Sequence, residues 1–273
     1  MWLQWNLAAL IAALLVAAVV FTRPNGRHWL VVARAFAKET AIILSLYAIW
    51  QLAGTLSVMQ VNGARGRGLW IWDAQRFLHF PSELTFQKAT LPHPLIVQFF
   101  NGYYAIMHVP ALVIFLIWLF VRHRDRYTSV RNAIALLTGI CLLIQLIPVA
   151  PPRMFPELGF IDTAKIYNQS VYGAVGSGLA DQLSAMPSVH VGWAVAVGLF
   201  SVQISRSRWR WLALAHPILT VLAITVTANH WWLDGVVAVA ILLLVMAAQR
   251  GVRAALRRYP TRQEVSLEAQ TVG

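Results

Sequence analysis

Two short stretches of the chain carry side chains suited to nucleophilic and acid–base chemistry. Ser188 and His190 stand in Pro187-Ser188-Val189-His190, where a polar loop passes into an apolar segment. His230 and Asp234 follow about forty residues later and are four positions apart, so they share one face if the segment is helical. A carboxylate can hold an imidazole in one tautomer and make it a nucleophile, while a second imidazole supplies a proton.

Phosphate is the group that this pattern favours as a ligand. The first turn of a helix has N–H groups without partners and the positive end of the helix dipole, and Pro187 is tolerated there. Arg153 adds a planar, always charged fork that suits phosphate oxygens. The catalytic candidates are His230 as nucleophile, His190 as proton donor and Asp234 as the residue that orients His230. The phosphate-binding candidates are Arg153, Ser188, Val189 and Asn229, and no metal or cofactor is expected.

The composition indicates a membrane protein. Of the 273 residues 59% are hydrophobic and 12% are charged, which is too apolar for a soluble globule. A membrane-spanning helix needs about 20 apolar residues, and the first segment is interpreted as an uncleaved helix, not a signal peptide. The fold class predicted is an all-α, polytopic membrane helical bundle with six to seven transmembrane helices. Seven segments qualify or nearly qualify: roughly 2–22, 29–59, 94–121, 129–149, 187–204, 209–229 and 232–249.

The basic residues predict the orientation of these helices. Of the 22 Lys and Arg residues, 16 fall in one set of alternate connections and 6 in the other. In membrane proteins the side rich in basic residues is cytoplasmic. The chain is therefore expected to be a multi-pass protein of the cell membrane, with its N-terminus outside the cell and its C-terminus in the cytoplasm. Arg153, His190 and His230 then fall at the outer face. The net charge of +12 is therefore explained by orientation, and no nucleic acid is expected as a partner.

The chain divides into four parts in this interpretation. The segment 61–93 is left open between an outer loop with an interfacial helix and an irregular loop. His108 and Pro110 predict a kink within the third span, and His108 is interpreted as a buried histidine bonded to a neighbouring helix. The parts are N-terminal transmembrane helices at 1–60, the outer loop at 61–93, a catalytic bundle at 94–249 with an outer loop at 150–186, and a basic cytoplasmic tail at 250–273.

Three smaller expectations concern single residue types. The long loop 150–186 contains Gly173, Gly176 and Gly178, and we expect it to form a headgroup pocket or a lid. The adjacent Trp231 and Trp232 are expected in the aromatic belt at the outer interface. Cys141 is the only cysteine of the sequence, so the chain has no internal disulfide.

The motifs resemble those of a known family. Pro187-Ser188-Val189-His190 is similar to the proline-serine-x-histidine motif, and His230 with Asp234 to the histidine-x-x-x-aspartate motif, of the phosphatidic acid phosphatase type 2 superfamily. Ala150-Pro151-Pro152-Arg153 is similar to the alanine-proline-proline stretch of its inositol phosphorylceramide synthase-like branch. The resemblance, over roughly 145–240, implies a membrane helical bundle and a metal-independent reaction through a phosphohistidine on His230, with His190 as the acid.

Two features of the family are missing from the chain. The lysine-x6-arginine-proline motif of the typical phosphatases is absent, and Ala223 and Ile224 stand where the family has a serine–arginine pair. Under this resemblance Arg153 takes over part of the phosphate binding.

Several functions remain open at this level. A lipid phosphatase and a phosphotransferase, including an inositol-phosphate-type headgroup transferase to a lipid alcohol, can both use such a site on a lipid phosphate or phospholipid. A membrane transporter or receptor is a different class, although a retinal-type pigment would need a lysine that 232–249 lacks. A zinc hydrolase would use His190, His230 and Asp234 as metal ligands. The sequence does not specify the oligomeric state.

Overall fold

The computed structural model describes residues 3–22, 27–57, 62–169 and 182–258. These residues form an all-α bundle without strands, and their one isolated β-bridge joins Val149 to Ser184. The helices are α1 (Trp5–Phe21), α2 (His28–Ser57), α3 (Ala64–Phe77), α4 (Glu83–Thr90), α5 (Pro94–Ile106), α6 (His108–Arg122), α7 (Arg124–Gln145), α8 (Thr163–Ile166), α9 (Val189–Ile204), α10 (Ala215–Val226) and α11 (Trp232–Arg258).

Length and hydropathy identify the helices that can cross a membrane. Within the described residues three are long and apolar enough alone, at Arg124–Gln145, Arg208–Val226 and Trp232–Leu256. The second of these consists of a 3-10 helix, Arg208–Leu214, that continues directly into α10. Helices α5 and α6 qualify together as a span bent by 51°. The bend lies where His108 and Pro110 predicted a kink. Helices α1 and α9 are apolar but shorter, and the count of six to seven spans stays a prediction.

Helix α9 lies at the centre of the bundle and contacts α6, α7, α10 and α11. The sequence explains this position, because a helix that is apolar on all sides is stable only when it is surrounded. Its core neighbours include Leu137 of α7 and Leu242 of α11, both fully buried. The Trp193 indole N–H also donates to Thr138 Oγ1 at 2.8 Å, which fixes the rotation of α9 against α7. The first residues of α9 are thereby held in a defined place.

Charged side chains join distant helices at one end of the bundle. Glu39 of α2 forms an ion pair with Arg131 of α7. Arg253 of α11 donates to Ser129 Oγ of α7 at 2.9 Å. The basic residues involved belong to the set that the sequence assigned to the cytoplasm. The sidedness of the membrane is not fixed by these contacts and stays a prediction.

The segment 61–93, left open by the sequence, is described from residue 62 onward and is mostly helical there, comprising α3 and α4. Helix α3 packs closely on the segment that contains Arg153. A Cβ atom added at Gly68 would lie 2.7 Å from the Ala150 carbonyl oxygen and 2.8 Å from the Phe155 ring. Only a glycine permits this approach. The location of α3 and α4 at the bilayer interface stays a prediction.

The expectation for Trp231 was wrong. Its side chain is fully buried among Trp72, Phe155 and Phe160, and its indole N–H donates to the Ala150 carbonyl oxygen at 3.0 Å. A tryptophan that finds a hydrogen-bond acceptor inside the protein does not need the interface for its N–H. Trp231 therefore belongs to the core behind the histidines.

The lid predicted from Gly173, Gly176 and Gly178 lies outside the described residues.

Candidate active site

Ser188 caps the N-terminus of α9. Its Oγ accepts the N–H of Val191 at 3.3 Å, and its own N–H donates to the Asp234 carbonyl oxygen at 3.0 Å. The second bond joins the two motifs directly. The helix begins at Val189, so Pro187 precedes the cap and does not lie in the first turn as the sequence suggested. Ser188 is fully buried, and His190 follows in the first turn.

His230 lies in the short connection between α10 and α11 and is 4% exposed. Its Nδ1 is 2.7 Å from the carbonyl oxygen of Ala185. A carbonyl can only accept, so this contact requires the proton on Nδ1 and leaves the lone pair on Nε2. Nε2 is 3.4 Å from the Tyr104 hydroxyl, and the rings of His230 and His190 have centroids 5.7 Å apart. The nitrogen with the lone pair is the one a nucleophile needs.

Asp234 approaches His230, although His230 precedes α11 and the two do not share a helix face as the spacing suggested. Its Oδ2 is 3.4 Å from His230 Nδ1 and accepts the Trp231 N–H at 2.8 Å. The nearer acceptor for the His230 ring is therefore the Ala185 carbonyl, which sequence reasoning had not considered. Through its bond to the Trp231 N–H, Asp234 holds the connection that carries His230.

Burial lowers the pKa of His230 to about 4. The hydrogen bond to the Ala185 carbonyl opposes this shift, and the positive charge of Arg153 adds to it. At neutral pH the imidazole is therefore uncharged, as a nucleophile must be.

Arg153 and Asn229 are linked to each other beside His230. The Arg153 guanidinium donates to Asn229 Oδ1 at 2.8 Å and approaches Asp162 Oδ2 at 3.8 Å, and the side chain is 3% exposed. The backbone N–H of Arg153 donates to the Ala228 carbonyl at 2.8 Å. Asn229 also donates to Thr227 Oγ1 at 2.7 Å. These bonds hold both side chains in place, and Asn229 orients the Arg153 guanidinium.

Tyr104 of α5 was missed by sequence reasoning. Its ring lies 4.8 Å from that of His190 and 6.2 Å from that of His230, measured between centroids. It lies in the first half of the bent pair α5–α6. The neighbouring Tyr103 has the same residue type, so only the rotation of α5 decides which hydroxyl reaches the histidines, and no sequence signal distinguishes them.

Gln75 and Glu83 were also missed, and they hold the start of α11. Glu83 accepts the Trp232 N–H at 2.9 Å and the Gln75 amide at 2.8 Å, while Gln75 Oε1 accepts the Leu233 N–H at 2.9 Å. Side chains of α3 and α4 thus satisfy donors that a helix start leaves open. Burial raises the pKa of Glu83, and these hydrogen bonds with nearby Arg76 oppose the shift. In the sequence these two polar residues carry no signal for this role.

The arrangement combines the parts that phosphoryl transfer needs. His230 offers a neutral nucleophilic nitrogen, His190 a second imidazole nearby, and Arg153 a positive charge. Among the residues that the structure describes, no group of three His, Cys, Asp or Glu side chains is placed to hold a metal ion.

Comparison with known proteins identifies the family. Neither the curated proteins nor the solved structures contain a significant match to the chain. The family model described as the PAP2 superfamily matches residues 69–248, which is more than half of the chain and contains all the candidate site residues. Members of this superfamily are generally phosphatases. The apolar helices indicate a membrane protein, and the chain belongs to the PAP2 superfamily.

Proposed function

We propose that the protein is an integral membrane phosphatase or phosphotransferase that cleaves a phosphoester of a lipid through a phosphohistidine on His230. The observation that carries this proposal is the hydrogen bond from His230 Nδ1 to the Ala185 carbonyl, N···O 2.7 Å. It directs the lone pair of Nε2 toward Tyr104 and His190, where a phosphorus atom would be attacked.

The reaction has two halves. In the first, His230 Nε2 attacks phosphorus, the bond to the lipid oxygen breaks, and His190 gives that oxygen a proton. In the second, water or an alcohol attacks the phosphohistidine, and its proton returns to His190. Asp234 and the Ala185 carbonyl stabilise the charge that His230 acquires when it is phosphorylated.

Arg153 and the start of α9 would bind the phosphate oxygens. Arg153 lies close enough to His230 to influence its pKa. The hydroxyl of Ser188 and the backbone N–H of Val189 belong to the capped start of α9, where the helix dipole favours an anion. Asn229 holds the guanidinium in place through the bond of 2.8 Å.

A lipid is the proposed substrate because the site lies at the end of an apolar bundle that exposes large hydrophobic side chains, such as Phe99, Ile114 and Leu244, over its surface. Acyl or prenyl chains can lie along such helices while the phosphate reaches the histidines. The charge pattern puts this end of the bundle outside the cell, so the outer leaflet is the expected source of substrate.

Transfer to a lipid alcohol is the second candidate. The observation that favours it is burial, since His230, Asp234 and Arg153 are each at most 6% exposed. Exclusion of water lets an alcohol compete for a phosphohistidine. The similarity of Ala150-Pro151-Pro152-Arg153 to the inositol phosphorylceramide synthase-like branch points the same way.

The test uses purified full-length protein in lipid nanodiscs with a panel of phospholipids and polyprenyl phosphates. Released phosphate and newly formed lipids are measured together, with and without a chelator. We expect turnover that survives the chelator and is lost in His230→Ala, whereas His93→Ala, which changes an exposed histidine, retains it. Near-normal turnover by His230→Ala, or loss in chelator with recovery in zinc, would contradict the mechanism. The ratio of new lipid to phosphate decides between transfer and hydrolysis.

A further inference from the structure

His108 is a buried histidine that the reaction above does not use. It is the first residue of α6, at the bend of the α5–α6 pair, and is 4% exposed. The sequence interpretation gave it a hydrogen bond to a neighbouring helix. Among the described residues neither of its ring nitrogens has such a partner. A neutral imidazole carries one donor and one acceptor, so both capacities remain unfilled.

The ring of His108 packs directly against that of His190. Their centroids are 4.5 Å apart and their planes are inclined by 54°. His190 Nδ1 is also buried without a partner among the described residues, whereas its Nε2 is not among the buried unpartnered atoms. On these two adjacent rings, Nδ1 of His190 and both nitrogens of His108 therefore lack hydrogen-bond partners. Leaving such groups unpaired in a protein interior costs free energy, and pairing them removes the cost.

The other titratable groups around His108 are histidines and tyrosines. Tyr103 and Tyr104 lie at centroid distances of 5.9 and 5.8 Å on α5, and His216 lies at 6.0 Å on α10. The Tyr103 hydroxyl is already bonded to His216 Nδ1 at 2.6 Å. His230 is occupied at Nδ1 by Ala185. His190 is thus the nearest group with an unfilled hydrogen-bonding capacity that can pair with His108.

We propose that His108 is the positioning residue for His190, accepting the proton of His190 Nδ1 so that Nε2 is the nitrogen that exchanges protons with substrate. This role rests on the proposed function. It gives His190 an acceptor for its Nδ1 proton, as the Ala185 carbonyl does for His230. The histidine ring torsion is broad, so rotation of the two rings in contact brings their nitrogens together without moving the backbone. His108 itself touches neither substrate nor phosphate.

The protons balance over a turnover. In the free protein His190 is neutral with its proton on Nδ1, and it takes a second proton onto Nε2 from the monoanionic phosphate ester when the substrate binds. It gives this Nε2 proton to the leaving oxygen as the phosphorus–oxygen bond breaks. It is then neutral, with its remaining proton on Nδ1 and shared with His108. When water or an alcohol attacks the phosphohistidine, the proton of that hydroxyl returns to His190 Nε2. His108 stays neutral throughout, and no further reactant is needed.

The first test separates positioning from structural support by the leaving group. His108→Phe, His108→Asn and His216→Phe are made in full-length protein in nanodiscs. Each is assayed with an alkyl lipid phosphate, whose leaving oxygen needs a proton, and with a nitrophenyl phosphate ester, whose leaving oxygen does not. We expect His108→Phe to lower kcat for the alkyl ester about tenfold or more and to change the nitrophenyl ester much less. His108→Asn, whose amide oxygen can accept the Nδ1 proton, should restore most of the difference.

His216→Phe is the matched control, because it makes the same replacement on the other side of His108. We expect His216→Phe to change kcat for both esters by the same factor. Equal losses for the two esters in His108→Phe, or no loss, would overturn the inference.

The second test does not depend on turnover. Nitrogen-15 spectra of histidine-labelled protein, with His190 assigned from a His190→Gln sample, report which ring nitrogen carries the proton. We expect His190 to be in the Nδ1–H form at neutral pH in the native protein and to become a tautomer mixture in His108→Phe. An unchanged His190 spectrum in His108→Phe would contradict this inference but not the proposed function. If the native protein cleaves no phosphate ester but the His190 spectrum changes as expected, the proposed function fails and the histidine pair stands.

Discussion

At the scale of single residues, the proposed mechanism depends on keeping His230 neutral and oriented. Burial lowers its pKa to about 4, and Arg153 adds to the shift because a second positive charge nearby is unfavourable. The same guanidinium would attract the phosphate. Under the proposed function Arg153 would therefore both tune the nucleophile and bind the substrate, and its bond to Asn229 holds the guanidinium in place.

The pH profile of the reaction tests this coupling. A pKa lowered to about 4 means that His230 loses its proton at a lower pH than a free histidine, so the nucleophile is present above about pH 4. We expect kcat/KM to fall as the pH drops through this value, and not near pH 6.5. In Arg153→Met the positive charge is gone, the pKa of His230 rises, and the acid limb should move to higher pH as KM increases. A limb that stays in place in Arg153→Met would show that the charge does not act on His230.

At the scale of elements, α3 and α4 support the site from outside the bundle. Glu83 and Gln75 take the first N–H groups of α11, and Gly68 lets α3 touch the segment before Arg153. The helix that carries Asp234 and the loop that carries Arg153 are therefore both fixed by the segment 61–93. This explains why the segment contains buried glutamine and glutamate side chains.

Two glycines of α3 test this support. In Gly68→Ala the new methyl group would clash with the Ala150 carbonyl and the Phe155 ring, so we expect a loss of about 1–3 kcal/mol in stability and a drop in turnover. Gly66→Ala is the matched control on the same helix, since a Cβ there meets nothing within 4 Å, and it should be neutral or slightly stabilising. Thermal unfolding in detergent and lipid phosphate turnover measure both effects. Equal behaviour of the two variants would contradict a close packing of α3 on this loop.

The sequence could predict the parts of the site that are written as residue types at a fixed spacing. The cap at Ser188 and the approach of Asp234 to His230 follow from local geometry, and the apolar segments predicted most helix positions. The Ala185 carbonyl could not be predicted, because any residue type offers the same backbone oxygen. Tyr104 and His108 could not be placed either, since their approach depends on how α5 and α6 rotate and bend against α9.

At the scale of the whole molecule, the two ends of the bundle differ in chemistry. One end joins Glu39 to Arg131 and Arg253 to Ser129, and the other carries Arg153 and the histidines. This separation agrees with the grouping of basic residues along the sequence. Which end faces the cytoplasm is predicted from that grouping alone.

Cysteine labelling tests the orientation. Lys165→Cys lies at the histidine end and Arg206→Cys at the opposite end, both at exposed positions, and the native Cys141 is buried. With a membrane-impermeant thiol reagent on intact cells, we expect Lys165→Cys to react at once and Arg206→Cys only after permeabilisation. The reverse pattern would place the site in the cytoplasm.

Trapping the covalent intermediate tests the phosphohistidine mechanism most directly. The purified protein is mixed with a lipid phosphate, quenched in base within the turnover time, and digested, and the peptide containing residue 230 is analysed by mass spectrometry. We expect a phosphate on His230 that forms in the presence of chelator, is absent in His230→Ala, and accumulates in His190→Ala when the nitrophenyl ester supplies the phosphate. Turnover without any phosphorylated histidine, or with the phosphate on His190, would contradict this mechanism.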